Sequence, residues 1–368
     1  MALGNDEDDP TANRRQRLIA GTLTFQPRPE LPTLPFDVLP EILCRLPVKL
    51  LIQLRCLCKF FNSLISDPTF AKKHLQLSTK RHHLVLTNDE LVMYDSPIPS
   101  LFSTSAVFTQ TQLHISSTLT NGRIYAPTCS CDGIFLGMLK VGSYYLWNPS
   151  IRKFKLLPTL ENPHEHGANF CSFGYDHLID NYKVIVVSSK NKVSVNTLGT
   201  DYWTRIEDIP YSDNICGQGV FVNGTVNWLA SDDSNILSLD LNKESYQHLL
   251  LPDSENDLWI LHVVRDCLGL FGTGDMSLDV WIMKDYGNKE SWTKLYSVPN
   301  MQDRGLEAYD ALYISEDDQL LVDCIEIESG NDKLVLYDSK TGTLNIPEFQ
   351  NNYERICPNV YIESLISP

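Results

Sequence analysis

Few residue groupings in this 368-residue chain have both the types and the spacing to do chemistry. Asp232-Asp233 and Asp317-Asp318 are paired acids, the residue type that shares general acid and base work. Each pair lies in a polar stretch at a predicted turn, and adjacent residues on a strand would point to opposite faces. His164-x-His166 has the residue types for half of a metal site, but it sits beside Pro163 and Gly167 with no identifiable third ligand. Gly272-Thr273-Gly274 is too short to cradle a phosphate. The ten cysteines run from Cys44 to Cys357, and the close pairs Cys56/Cys58 and Cys129/Cys131 lack C-x-x-C spacing. They read as small buried hydrophobes rather than zinc ligands. Asn223-Gly224-Thr225 matches a glycosylation sequon, but Asn-Gly between strand-like runs is a hairpin signal. No catalytic, cofactor-binding or metal-binding residue is assigned on this basis.

Composition narrows the classes further. Hydrophobic residues make up 43% and charged residues 21% of the chain, as in soluble globular proteins. No apolar run approaches the ~18 residues of a membrane span, so no membrane partner is expected. The opening MALGNDEDDPTANRRQR is acidic, then basic, and lacks the apolar core of a secretory signal. The expected compartment is the cytoplasm, the nucleus or both. Residues 34–80 carry seven Lys/Arg against three Asp/Glu, whereas residues 81–368 carry a net charge of −19. The large acidic part would repel a phosphate backbone, so nucleic acid is not expected as a partner; the small basic part favours an acidic one.

The elements that would position any site are of two kinds. Residues 1–30 have no periodic apolar positions and are expected to be disordered; within them Arg14-Arg15-Gln16-Arg17 reads as a solvated cluster or a nuclear-import patch. From there the pattern turns helical. Leu39, Ile42, Leu43 and Leu46 follow i, i+3, i+4, i+7, with Pro47 closing the run. Leu51, Leu54, Cys58, Phe61 and Ile65 continue at spacings of three and four, and Leu50, Leu57 and Leu64 widen the stripe beyond one face. Ser66-Asp67-Pro68 supplies a cap and a first-turn proline for a short helix through Phe70, Ala71 and Leu75. About 45 residues cannot bury so much apolar surface on themselves. Something else must cover it.

From about residue 82 the period changes to short alternating strands such as Lys183-Val184-Ile185-Val186-Val187, with turn signals at Asn121-Gly122, Asn223-Gly224 and Lys340-Thr341-Gly342. An apolar strand leading into a proline recurs, ending at Pro158, Pro210, Pro252, Pro299 and Pro347. The steps are 52, 42, 47 and 48 residues, close to one four-stranded propeller blade. A β-sandwich does not need so regular a step. Leu84–Pro99 is half a unit, and Val360–Ile366 is an orphan strand at the other end. Joining them gives about six blades, closed by the C-terminal strand, which removes exposed sheet edges.

The helical stretch Leu34-Pro35-x-Asp37-x-Leu39-x-Glu41-Ile42-Leu43-x-Arg45-Leu46-Pro47-Val48-Lys49, with Arg55-Cys56-Leu57-Cys58-Lys59 and Leu64-Ile65-Ser66-Asp67-Pro68-x-Phe70, resembles an F-box of the large plant F-box family. The resemblance implies a small all-α module that docks onto the Skp-type adaptor of a cullin ubiquitin ligase. It also implies that Leu34, Pro35, Leu39, Ile42, Leu43, Leu46, Pro47 and Leu51 face the adaptor or shape the surface that does. The alternative for any one position, notably Leu54 and Leu57, is packing within the module alone. Phe61 stands where the family usually has Trp, Leu54 where it often has Phe, and Leu50 and Phe60 where Ser is common; these changes keep or raise apolarity.

Asn148-Pro149-Ser150-x-Arg152-Lys153-Phe154, Phe173-Gly174-Tyr175-Asp176, Gly219-Val220-Phe221-Val222-Asn223-Gly224 and Val280-Trp281-x-Met283-Lys284-x-Tyr286-Gly287-x-x-Glu290-Ser291-Trp292 resemble the F-box-associated, kelch-like interaction domain. That resemblance implies a domain that captures the protein to be ubiquitinated, with the target-binding residues unknown. Packing alone at blade spacing favours Trp281, Trp292 and the Gly-Val-Phe-Val run as blade core. The expected organisation is a tail over 1–30, an F-box module over 31–78 and an all-β propeller over 79–368. The expected function is a non-catalytic substrate receptor of a Skp-cullin-F-box ligase. A stand-alone binding propeller, or a propeller hydrolase or oxidase with an incidental helical appendage, is the competing class.

Overall fold

The computed structural model describes residues 38–88, 92–102, 110–113, 127–140, 142–160, 170–210, 214–231, 235–254, 256, 258–274, 277–349 and 356–368. The tail over 1–30, Leu34, Pro35, His164, His166, Asp232-Asp233 and the Asn121-Gly122 turn lie outside the described residues. The chain divides into compact units over 1–41 and 42–368. The described part of the first unit is residues 38–41, which lead into helix α1 (Leu39–Leu43).

Three further helices follow: α2 (Val48–Arg55), α3 (Lys59–Ile65) and α4 (Pro68–Leu77). The second apolar run is thus two helices, not one. The Cys56 and Leu57 N–H groups turn back to Gln53 O and Leu54 O, and Cys58 is extended at φ −158°. No Gly or Pro marks this break, so the apolar spacing runs through it unaltered. Helix α4 starts as its sequence indicates, with the Asp67 carboxylate accepting from Thr69 N at 2.7 Å and Phe70 N at 3.3 Å. Cys44, Val48, Leu51, Ile65, Phe70 and Ala71 are buried.

The remainder is β-structure. β1 (His82–Asn88), β2 (Met93–Pro97) and β3 (Thr111–Leu113) come first, with a short helix α5 (Ile98–Leu101) after β2. The second group is β4 (Cys129–Cys131), β5 (Ile134–Lys140), β6 (Ser143–Asn148) and β7 (Lys153–Leu156). The third is β8 (Phe170–Asp176), β9 (Asn181–Val187), β10 (Val193–Thr197) and β11 (Thr204–Arg205). The fourth is β12 (Ile215–Val222), β13 (Thr225–Ala230), β14 (Asn235–Asp240) and β15 (Ser245–Leu250). The fifth is β16 (Leu258–Val264), β17 (Cys267–Thr273), β18 (Ser277–Met283) and β19 (Trp292–Pro299). The last is β20 (Leu306–Ile314), β21 (Gln319–Glu326), β22 (Asp332–Asp338) and β23 (Thr343–Asn345), after which β24 (Ile356–Ile362) ends the series.

These strands form six four-stranded antiparallel sheets, the six blades of a propeller. Five are meanders of consecutive strands, and the sixth has the order β24-β1-β2-β3. The inner strands touch in sequence, β24 to β4, β4 to β8, β8 to β12, β12 to β16, β16 to β20 and β20 to β24. Pro158, Pro210, Pro252 and Pro347 lie just beyond the outermost strands of their blades, and Pro299 ends β19. Cores form between neighbouring blades. One joins Ile185, Val187 and Val195 of the β8–β11 blade to Trp228, Leu237 and Leu239 of the β12–β15 blade, and another joins Phe271 and Val280 of the β16–β19 blade to Leu320 and Val322 of the β20–β23 blade. Trp292, read as blade core, is buried in a third such core, between the β12–β15 and β16–β19 blades, and Trp281 packs against that core partly buried. At Asn223-Gly224 both residues have positive φ, 52° and 78°, as a two-residue hairpin between right-twisted strands requires.

The last strand differs in register from its sequence expectation. It spans Ile356–Ile362 rather than Val360–Ile366, and pairs from His82↔Ile362 to Asn88↔Ile356. Ser364, Leu365 and Ile366 leave the sheet and are buried. Asn148 Nδ2 donates to Ser364 O at 3.2 Å and Ile366 O at 2.8 Å, while Ser364 Oγ donates to Asp132 O at 2.6 Å. The apolar character of Leu365 and Ile366 therefore reflects packing beyond the strand, which alternation alone cannot distinguish from pairing.

Candidate functional site

The residues singled out by sequence in the helical region separate by exposure. Ile42 is 43% exposed, and Leu39, Leu46 and Pro47 are partly buried. Leu43 is buried and Leu51 has no exposed surface. Three further side chains, outside the set that the family resemblance assigns to the adaptor, are open to water. Leu50, Leu57 and Phe60 are exposed, Leu57 to 69%, the greatest exposure of any large apolar residue between 42 and 77. Leu57 sits in the turn between α2 and α3, where it has left the helical stripe that its spacing implies. Phe60 packs edge-on against Phe61, with centroids 5.6 Å apart. These large aliphatic and aromatic side chains are left in water within one small module.

The turn carrying Leu46 and Pro47 is held from below. Leu50 N and Leu51 N both donate to Pro47 O, at 3.0 and 3.1 Å. The Leu46 carbonyl instead accepts from His74 Nε2 at 2.9 Å, across the module from α4. Helix α4 is itself tied to the β8–β9 turn of the third blade. The Lys72 ammonium pairs with the Asp180 carboxylate and stands 5.7 Å from the Tyr175 ring centroid, and Tyr175 OH donates to Asp180. Hydrogen bonds from Lys72 and then Tyr175 hold the Asp180 carboxyl below the usual carboxylate range. Lys80 pairs with Asp266 of the β16–β17 turn at 2.6 Å. Between helices and propeller lies a cleft of about 260 Å³ bordered by Arg55, Lys72, Lys153 and Asp180.

The propeller's reactive side chains are absorbed by structure. Asp318 ends the β20–β21 turn with φ 67°, pairs with Arg265 at 2.5 Å and accepts from Tyr296 OH. Those two hydrogen bonds, the tyrosine's first, lower its pKa. All ten cysteines carry free thiols. Burial pushes Cys171 up to about 11 and Cys324 up to about 12, and raises Cys129 and Cys131 further. Such thiols remain protonated and unreactive near neutral pH. Gly272-Thr273-Gly274 lies at the end of β17, where a Cβ on Gly272 would meet Asn256 and Trp259. Among the described residues, no group of three His, Cys, Asp or Glu could hold a metal, and no helix is long and apolar enough to cross a membrane.

The chain thus joins a small helical module with exposed apolar side chains to a six-bladed propeller, and comparison with known proteins recognises both parts. Residues 31–73 match the family described as F-box domain, and residues 89–368 match the F-box associated beta propeller domain. An F-box/kelch-repeat protein of Arabidopsis thaliana is 29% identical over 362 residues, covering 91% of this chain and 96% of its own length. The Arabidopsis F-box protein CPR1 is 27% identical over 381 residues, covering 91% and 87%, and an Arabidopsis F-box/WD-40 repeat-containing protein 1 is 28% identical over 331 residues, covering 81% and 78%. The chain belongs to the plant F-box proteins that carry a C-terminal F-box-associated β-propeller.

Proposed function

We propose that this protein is the substrate-recognition subunit of a Skp-cullin-F-box ubiquitin ligase, with the module over residues 31–78 docking the Skp-type adaptor and the propeller over 79–368 holding a target protein. The observation that carries this is the exposure of Ile42, Leu50, Leu57 and Phe60 on an F-box whose own core is already filled by Cys44, Val48, Leu51 and Ile65. Ile42, Leu46 and Pro47, together with Leu34, Pro35 and Leu39, touch the adaptor in this scheme. Leu43 and Leu51, enclosed within the module, set the shape of the surface instead of meeting the partner. The cullin is reached through the adaptor.

The protein contributes no catalytic group of its own, and ubiquitin transfer belongs to the bound ligase. The pairing of β24 with β1 supports a ring latched by the C-terminal strand, so that the target-binding platform is rigid whether or not the module is occupied. The compartment proposed is the cytoplasm, the nucleus or both, where free thiols persist. Affinity purification of the full chain from plant cells tests the scheme: a Skp-type adaptor and a cullin co-purify in stoichiometric amounts. A chain that purifies alone, with its module folded, overturns it.

A further inference from the structure

We propose that His74 is a positioning residue for adaptor docking, fixing the Leu46-Pro47 turn from beneath so that the two residues are presented in one geometry. The proposal rests on the docking function proposed above. It starts from a deficit in the backbone. Pro47, at the cap of α2, has no side-chain group to bind the first turn, and it takes both Leu50 N and Leu51 N on its own carbonyl. The Leu46 carbonyl, one residue earlier, is then supplied by a side chain 28 residues away in sequence, His74 Nε2 at 2.9 Å. A carbonyl in a turn left without a donor costs more than an ordinary hydrogen bond contributes, so this contact selects the conformation of the turn.

The histidine is committed to that contact. It is 1% exposed, its ring stacks on Phe70 with centroids 6.5 Å apart, and its other nitrogen, Nδ1, is buried with no hydrogen-bond partner. With Nε2 donating and no acceptor at Nδ1, the site fits the neutral ring that carries its proton on Nε2. A lysine or arginine would place an unpaired charge there, and an aliphatic residue would leave Leu46 O unpaired. Burial holds the His74 pKa below the ordinary histidine value, outweighing the hydrogen bond to Leu46 and the charge of Glu363, which both favour the imidazolium, while Arg81 opposes it. Because the folded pKa is the lower one, the stabilisation is complete above the ordinary value and is lost as pH falls through the folded one. A protonated Nδ1 would add a buried donor with no acceptor, so adaptor affinity should weaken on acidification.

The test uses the full chain, a purified Skp-type adaptor, and titrations at pH 7.5 and 5.5. His74→Gln keeps a donor near the Nε2 position and cannot titrate; it should bind within about threefold of wild type at pH 7.5, and its pH dependence should disappear. His74→Leu fills the space without a donor and should lose about tenfold or more in affinity. Amide hydrogen exchange is measured alongside, and Arg45, Leu46 and Val48 should exchange faster in His74→Leu while the propeller strands keep their protection. If His74→Leu binds like wild type, or if His74→Gln retains the wild-type pH dependence, the positioning role is wrong while docking stands. If wild type itself fails to bind at pH 7.5, the docking function falls and this role with it.

Discussion

The helical module and the propeller treat apolar surface in opposite ways. Between residues 42 and 77 five large apolar side chains are exposed, Ile42, Leu50, Leu57, Phe60 and Leu77, whereas the whole described stretch from 82 to 368 exposes ten. The propeller fills its core between blades, with Trp228, Phe271 and Leu320 at or near zero exposure. The module has too few residues to do the same, since a small domain removes a smaller share of its surface from water. One part therefore fills its own core, and the other leaves apolar surface in water, which the proposed docking would cover. The sign of charge follows the same division, positive on the F-box stretch and strongly negative over the propeller, which would favour an acidic partner at the module in the proposed scheme.

The comparison breaks most severely if the propeller is not self-sufficient. Deleting residues 356–368 removes β24 and the segment pinned by Asn148, leaving β1 as an unpaired edge. The truncated chain should melt lower by about 10 °C or more, or fail to fold, and calorimetry measures this. A truncation that melts like the full chain would show that the C-terminal strand does not latch the ring.

A smaller effect is expected from Trp228→Ala, which empties the core between the third and fourth blades. It should cost about 3–5 kcal/mol in denaturant unfolding. The adaptor affinity of the folded fraction should not change, because the module draws no support from that core.

The smallest expected effect is at the tie between the two parts. Lys72→Ala breaks the pair with Asp180, whose side chains are 35% and 70% exposed. Solvent screening should limit the loss of stability to below about 1 kcal/mol, and the loss should shrink further at high salt. A larger loss in chemical denaturation would mean that the module depends on the propeller for its fold.

Much of the fold was legible in the sequence, for definite reasons. A proline at or just beyond the outer strand of five blades marks where a ladder donor is no longer needed. The structure adds a link at two of these repeats that the sequence reading did not single out: Trp203 Nε1 donates to Pro158 O at 2.8 Å and Trp292 Nε1 to Leu250 O at 2.9 Å, each reaching the preceding blade. The break between α2 and α3 was not legible, because extended Cys58 is not a residue type that announces a helix stop. Nor was the exposure of Leu57, whose spacing matched the buried stripe until the turn rotated it outward. His74 carried no signal because its partner is a backbone carbonyl, and sequence does not show which carbonyl a turn leaves unpaired. The end of β24 was displaced because Leu365 and Ile366 are as apolar as strand residues but pack beyond the sheet.

The central claim is that the exposed face of the module exists to hold an adaptor, and Ile42→Lys tests it most directly. Ile42 is 43% exposed, so the free protein can carry a lysine there without strain, but a complex would bury that charge unpaired. Titration with a purified Skp-type adaptor should show affinity reduced by about 100-fold or more, while the melting temperature of the free chain stays at its wild-type value. A variant that keeps its fold and binds the adaptor as wild type does would contradict the account.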